Sequence, residues 1–141
     1  MREDKESDYD LDKILQSLFD PTEVRCKVPR VRIRITLGIF ISSLLNLAAN
    51  AKEAYQRRYG RLDGFRLEIE YRDGVLFVED NAGGFDTSLI GLGVSKKSDK
   101  GHGIFLHTLL RDAGKYGMGV QLERLPSGTR VAIHFLNPVL E

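Results

Sequence analysis

The stretch VEDNAGGF, residues 78–85, closes a run in which apolar and polar residues alternate as they do in a β-strand. Asp80 follows the alternating residues directly, and the side chains then stay small until Phe85. Taken alone, this Asp-Asn-Gly cluster is ordinary turn chemistry, so a glycine-rich turn is the simplest interpretation. The alternative is a backbone that a ligand approaches closely, with Asp80 accepting a hydrogen bond from an exocyclic amine such as that of a purine.

The segments around this stretch predict a sheet with one apolar face. Residues 31–37 (VRIRITL), 65–72 (FRLEIEYR) and 74–80 (GVLFVED) alternate, and an Arg-Asp-Gly turn joins the last two. Near the end of the chain, residues 120–125 and 129–136 predict a second hairpin around Pro-Ser-Gly. A sheet of this kind carries helices on one face only.

Helical segments are available to cover the apolar face. Residues 38–58 and 103–116 predict two long helices, the second ending at Gly117, and residues 10–18 predict a short amphipathic helix that Asp10 can cap. The predicted fold is therefore an α/β two-layer sandwich, with a mostly antiparallel mixed sheet and helices on one face.

Composition limits the classes of protein that remain. The 141 residues suffice for one domain, which we expect over 10–141, with the polar residues 1–9 disordered or a linker. The net charge of +1 argues against a nucleic-acid partner, and no apolar run is long enough for a membrane span. Cys26 is the single cysteine, which excludes an internal disulfide and is typical of a cytoplasmic location.

A second polar feature lies in residues 41–55, ISSLLNLAANAKEAY, which are otherwise mostly apolar or small. Asn46, Asn50 and Glu53 recur at helical spacing and share one face. The stripe can simply face water, or an Asn can bond to a neighbouring loop. A functional interpretation carries equal weight, because buried amides need partners and an amide oxygen can ligate a hard cation such as Mg²⁺.

The third feature is KKSDKGHGIFLH, residues 96–107. Gly101 and Gly103 lie where a helix is predicted to begin, and backbone N–H groups at such a position bind phosphate well. A flexible basic loop before a helix is the simpler explanation, because the segment matches neither a Walker loop nor a dinucleotide-binding fingerprint.

In this order, NLAANA, DNAGGF and GHGIFL resemble the asparagine box and the two glycine boxes of the GHKL (Bergerat-fold) ATPases, and SGTRVAIHF resembles their final Gly-Thr hairpin. The likeness covers roughly residues 38–136. Asn46 is typical of sensor histidine kinases, since gyrase-like ATPases and anti-sigma kinases usually place a Glu there. The resemblance implies the catalytic domain of a histidine kinase, with ATP and Mg²⁺ as cofactors and a phosphoacceptor/dimerisation domain and a response-regulator receiver as partners.

The resemblance also implies a role for each matching residue. Asn50 would ligate Mg²⁺, Asn46 would position the reacting phosphoryl group, and Asp80, supported by Thr129, would accept from the adenine amino group. Lys97, in a short lid, would contact the γ-phosphate as a catalytic group. The other implied nucleotide-binding residues are Glu53, Ala82, Gly84, Phe85, Lys96, Lys100, Gly101, His102, Gly103, Ile104 and Phe105.

Three residues depart from the family pattern. Ala82 and Phe105 stand in place of glycines, and Glu53 stands where many kinases carry a basic residue. The bulk of Phe105 would stiffen or narrow the phosphate mouth, whereas Ala82 is small enough to be tolerated.

The three histidines, His102, His107 and His134, do not lie in a helix before the asparagine box, so the resemblance places the acceptor histidine on another domain. Three alternatives stay open. They are a regulatory ATP-binding module that acts through a partner, a serine kinase of the anti-sigma type, and a sandwich domain whose glycines are only turns.

Overall fold

The computed structural model describes residues 6–82 and 111–136. In chain order, the described strands and α-helices are β1 (Glu6–Asp10), α1 (Leu11–Leu18), β2 (Val24–Lys27), β3 (Arg32–Thr36), α2 (Leu37–Tyr59), β4 (Leu67–Arg72), β5 (Val75–Asp80), β6 (Met118–Leu125) and β7 (Gly128–Phe135). A 3₁₀ helix, Ala113–Tyr116, precedes β6.

Five strands form a mixed sheet in the order β2-β4-β5-β7-β6, and β1 pairs with β3 in a separate two-stranded sheet. Only the β2–β4 pair within the described sheets is parallel. The turn between β4 and β5 is the predicted one, because Asp73 (φ 51°) and Gly74 (φ 81°) both adopt the positive φ that a tight two-residue hairpin turn requires.

The core lies between one face of the large sheet and the helices. Val78 and Ile133 on the sheet and Phe40 on α2 are each at most 4% exposed. The opposite face of the sheet carries charged side chains, among them Glu68, Glu70, Glu79 and Arg130. Helices on one face of a mixed sheet form an α+β two-layer sandwich, which confirms the predicted fold class.

Helix α2 confirms the helix predicted over 38–58. It ends where Gly60 adopts φ 76° and donates its N–H to the carbonyl of Gln56, a left-handed C-terminal cap that glycine favours. Of the second helix predicted over 103–116, the structure describes only the part from Arg111, which is helical and closes through the 3₁₀ turn before Gly117 (φ 81°), the predicted end. Its predicted start lies outside the described residues.

Strand β1 covers the last four of the residues 1–9 that we expected to be disordered or a linker, so those four residues are ordered. The polar side chains taken as a sign of disorder pair with arginines of β3. Asp8 lies opposite Arg34, whose Nε is 2.8 Å from its carboxylate, and Asp10 lies opposite Arg32 at 3.7 Å.

One local prediction needs correction, and one strand was not predicted. Asp10 occupies the N-cap position of α1 but makes no capping hydrogen bond, because its carboxylate lies near Lys13 Nζ (3.6 Å) and Arg32 Nε instead. Strand β2 was not predicted, since Val24 alone among its four residues is buried and no alternation marks it.

Candidate functional site

A pocket opens between α2 and the inner face of the large sheet, where β5 ends beside β7. Its walls are mostly apolar or small, and three polar side chains converge on it, as is typical of small-molecule sites. The described lining residues are Leu47, Asn50, Ala51, Ala54, Val78, Asp80, Ala82, Leu122, Thr129 and Val131.

Asp80 is the last residue of β5, and strand alternation turns its side chain toward the pocket. Its Oδ1 accepts a hydrogen bond from the Ala82 N–H at 2.9 Å, and the Thr129 N–H lies near enough to the carboxylate to favour its ionised form. Burial raises the pKa of Asp80 above its ordinary value, and the two N–H groups and nearby Glu79 modify that pKa less. The result is a carboxylate that is held by a backbone donor and still lines the pocket.

Asn50 supplies the second polar group from the facing helix. Its Oδ1 is buried, and no hydrogen-bond donor reaches it within residues 6–82 and 111–136. A buried acceptor without a partner costs about 1–3 kcal/mol, so such an atom calls for a ligand or an ion.

Thr129 is 6% exposed and stands opposite Asp80 in the β5–β7 ladder. The preceding residue, Gly128, allows β7 to approach β5 closely, because a Cβ at that position would overlap the carbonyl oxygen of Asp80. The close approach sets Thr129 directly against the carboxylate.

The structure thus brings together four of the predicted site residues, namely Asn50, Asp80, Ala82 and Thr129. Two others on α2, Asn46 and Glu53, are half-buried but are not among the described lining residues. Asn46 donates its Nδ2 hydrogen to the carbonyl of Ser42 (2.9 Å) within its own helix. That bond is the local satisfaction expected of an Asn inside a helix.

The remaining predicted site residues lie outside the described ranges. They are Gly84, Phe85, Lys96, Lys97, Lys100, Gly101, His102, Gly103, Ile104 and Phe105, together with His107 and the lid over residues 86–100. His134 is described; it lies on β7 opposite Val75 and Gly119.

Sequence reasoning missed the apolar walls of the pocket. Leu47, Ala51 and Ala54 follow the helical spacing that sets them on the same face as Asn50, and this spacing was a usable signal. Leu122 and Val131 face each other across β6 and β7, a pairing that appears only once the strand register is known.

Within the described ranges, no group of three or more His, Cys, Asp or Glu side chains has the arrangement of a metal site. Among the side chains that line the described pocket, Asn50 carries an oxygen of the hard type that Mg²⁺ accepts. None of the described helices combines the length and the apolar content needed to cross a bilayer.

This architecture is that of the catalytic, ATP-binding domains of sensor histidine kinases, and it confirms the resemblance to GHKL ATPases at the level of the fold. No family model and no curated protein matches the sequence.

Three solved structures illustrate the likeness. The mycobacterial sensor histidine kinase MprB is 16% identical with a TM-score of 0.69, over 96% of this chain and 100% of that one. A nucleotide-free catalytic domain of the histidine kinase ThkA is 14% identical with a TM-score of 0.66, over 96% and 99%. The ATP-binding domain of PrrB from Mycobacterium tuberculosis is 16% identical with a TM-score of 0.63, over 97% and 100%. At identities this low, the likeness between the structures shows a shared fold.

Proposed function

We propose that this chain is the ATP-binding catalytic domain of a histidine kinase, which transfers the γ-phosphate of ATP to a histidine on a separate dimerisation domain in two-component signalling. The observation that carries the proposal is the convergence of Asp80, Thr129 and the unpartnered Asn50 oxygen on one apolar pocket of this fold. A pocket with apolar walls and a few oriented polar groups suits a purine ring better than a highly charged ligand.

At the base end, the Asp80 carboxylate would accept a hydrogen bond from the adenine amino group. The backbone N–H of Ala82 already orients it, so little side-chain entropy remains to be lost on binding. Guanine carries a carbonyl oxygen where adenine carries this amine, so the same carboxylate would repel it.

At the phosphate end, the Asn50 oxygen fits a role as a ligand of Mg²⁺. An amide oxygen is a suitable hard ligand, and the lack of a described donor leaves its lone pairs available. Bound Mg²⁺ would neutralise phosphate charge. The roles of Asn46, Glu53 and Lys97 at this end remain predictions.

The partners in this proposal are a dimerisation domain that carries the acceptor histidine and, after it, a receiver domain. The ThkA and MprB structures support this choice because each belongs to a histidine kinase. A cytoplasmic location is part of the same proposal.

Two measurements test the proposal. Thermal unfolding with ADP and Mg²⁺ should show stabilisation, since a ligand at 100 times its Kd adds about 2.7 kcal/mol to the free energy of unfolding. Incubation with γ-labelled ATP and a supplied dimerisation domain should then label that domain. If neither ADP nor ATP, each with Mg²⁺ at millimolar concentration, stabilises the protein against thermal unfolding, nucleotide binding itself is refuted.

A second candidate is an ATP-binding module that regulates a partner without phosphoryl transfer. The observation in its favour is that the Nδ2 of Asn46 is bonded to its own helix, although Asn46 is the residue expected to position the phosphoryl group. Stabilisation by ADP and ATP without label transfer to any supplied acceptor domain would select this candidate.

A further inference from the structure

Asn81, the residue after Asp80, links β5 to the segment that leads into β4. Its Oδ1 accepts a hydrogen bond from the Arg66 N–H (2.8 Å), and its Nδ2 donates to the Gly64 carbonyl (2.8 Å). The backbone N–H of Asn81 also donates to the Arg66 carbonyl (3.3 Å). Both functional atoms of the side-chain amide are therefore engaged with one neighbouring segment, residues 64–66.

The same segment rests on α2 through Tyr55. The Tyr55 ring packs edge-on against Phe65 with centroids 5.6 Å apart, and its hydroxyl donates to the Asp63 carbonyl at 3.5 Å. Gly64 adopts φ 105°, and a Cβ on it would lie 2.6 Å from the Tyr55 hydroxyl oxygen. A residue with a side chain could not keep this contact without displacement of the segment or the ring.

Tyr55 follows Ala54, which lines the pocket, and it lies one turn beyond Ala51, which does so too. On the other wall, Asn81 stands between Asp80 and Ala82. A continuous chain of contacts therefore joins the two walls of the pocket, from Tyr55 through residues 63–66 to Asn81.

We propose that Asn81 is a positioning residue for nucleobase recognition, which acts through Asp80 by tying the end of β5 to α2. The inference rests on the proposed function, because it gives the Asp80 carboxylate the task of selecting adenine. Without the Asn81 side-chain amide, only backbone pairing holds the strand end beside residues 64–66, so the carboxylate meets the adenine amine at a less fixed place. The loss should fall on base selectivity more than on binding of the phosphates.

The test measures Kd for ADP and for GDP, each with Mg²⁺, on the full chain. Asn81→Ala should lower the preference for ADP over GDP about tenfold, on the scale of the two hydrogen bonds removed. Asn81→Asp keeps an acceptor for the Arg66 N–H but turns a carboxylate oxygen toward the Gly64 carbonyl, where it cannot donate, so its preference should also fall below that of the wild type.

Asp8→Ala is the matched control. Asp8 also accepts two side-chain hydrogen bonds, from Arg34 Nε (2.8 Å) and Nη2 (3.3 Å), in the separate β1–β3 sheet. A comparable loss of contacts there should leave the ratio of the two Kd values unchanged. An unchanged ratio in Asn81→Ala, with ADP still bound by the wild type, would overturn the inference alone. Wild-type protein that binds neither nucleotide would overturn the proposed function and the inference with it.

A measurement on the unaltered chain covers the case in which the Asn81 variants do not fold. If the linkage is real, ADP binding should slow hydrogen exchange at the Arg66 amide, whose N–H is held by the Asn81 side chain. The reference is the Thr22 amide, which is also held by a side-chain oxygen, Asp20 Oδ1 at 2.9 Å. Equal effects of ADP at the two amides would contradict the inference.

Discussion

Glu79 and Asp80 are adjacent carboxylates on one strand, and they face opposite sides of the sheet. Glu79 points outward, where its Oε1 is 3.2 Å from Arg130 Nε and Arg130 also contacts Glu123 at 3.1 Å. Asp80 points inward, where the backbone N–H of Ala82 donates a hydrogen bond to it and the backbone N–H of Thr129 lies nearby.

The difference separates a carboxylate that stabilises the surface from one that is suited to a ligand. Glu79 lies opposite Arg130 in the strand register and its side chain remains 43% exposed, so its charge is stabilised by both the arginine and water. Burial raises the pKa of Asp80, which means that the fold carries a cost to keep an ionised acceptor inside the pocket. Such a cost is typical of functional sites.

The largest expected effect comes from Gly128→Ala, which moves the backbone that positions Asp80 inside the pocket. The added Cβ would overlap the Asp80 carbonyl oxygen, and relief requires that β5 and β7 separate. We expect a loss of about 3 kcal/mol in the free energy of unfolding and a Tm lower by about 10 °C. Gly119→Ala on β6 is the control, because its Cβ would meet only ordinary contacts at 3.5 and 3.7 Å. Equal Tm values for the two variants would contradict the close approach.

Asp80→Asn tests how much the inward-facing carboxylate contributes to ADP binding. It keeps the shape of the side chain but removes the charge, and its amide can turn a donor toward the adenine amine. Hydrogen bonds to charged groups contribute about 1.5–3 kcal/mol, so ADP affinity measured by calorimetry should fall about 100-fold. Affinity close to that of the wild type would remove Asp80 from the site.

The same variant tests the physical cause of the raised pKa of Asp80. A carboxyl group whose pKa is higher in the folded state binds more protons when folded, so stability falls as pH rises from its ordinary value of 3.8 through the raised pKa. Denaturant unfolding from pH 3.5 to about 7 should therefore show the wild type losing stability relative to Asp80→Asn. A difference that is constant with pH, or that changes in the wild type's favour, would contradict the burial of this carboxylate.

Asn50→Ala extends the comparison to a neutral group with no described donor. Removal of the buried Oδ1 should leave Tm unchanged or raise it, since an unsatisfied acceptor costs about 1 kcal/mol or more. Affinity for ATP with Mg²⁺ should fall about tenfold, and affinity for ADP without the metal should not change. Gln56→Ala, an exposed change on the same helix, is the control. A parallel loss with and without Mg²⁺ would show that Asn50 acts on something other than the metal.

The inward-facing part of this arrangement could be predicted from the sequence to a large extent. The alternation in β5 marks which side chains face the core, and helical spacing places Asn50 on a defined face of α2. Carboxylate and amide side chains can serve as oriented acceptors, and on these faces they are Asp80 and Asn50. Alternation, helical spacing and residue type are local signals, so they can be recognised without knowledge of the neighbouring segments.

The remainder depends on contacts between distant segments. The polar residues of β1 form a strand only because arginines of β3 lie opposite them, and β2 is held by its ladder with β4. The Asn81 bonds likewise depend on how residues 63–66 rest on Tyr55. Such pairings leave no periodicity within β1, β2 or the Asn81 turn. The sequence pattern therefore favoured disorder for β1 and a simple turn at Asn81.

Glu79→Gln should have the smallest effect, and it is the sharpest test of the comparison because it alters the neighbouring carboxylate by the same chemistry. The variant loses an ion pair with Arg130 in which both partners are partly exposed, and such pairs contribute about 0–1 kcal/mol. Any loss of stability should shrink at 0.5 M salt, where exposed charges are screened. Glu123→Gln is the matched control, since Glu123 contacts the other side of the same arginine.

ADP affinity should stay within about twofold of the wild type in both variants, because the Glu79 side chain lies on the face of the sheet opposite the pocket. A twofold change corresponds to a change in binding free energy of about 0.4 kcal/mol. If Glu79→Gln weakened ADP as much as Asp80→Asn, charge on β5 rather than the inward acceptor would govern binding, and the division between the two faces would fail.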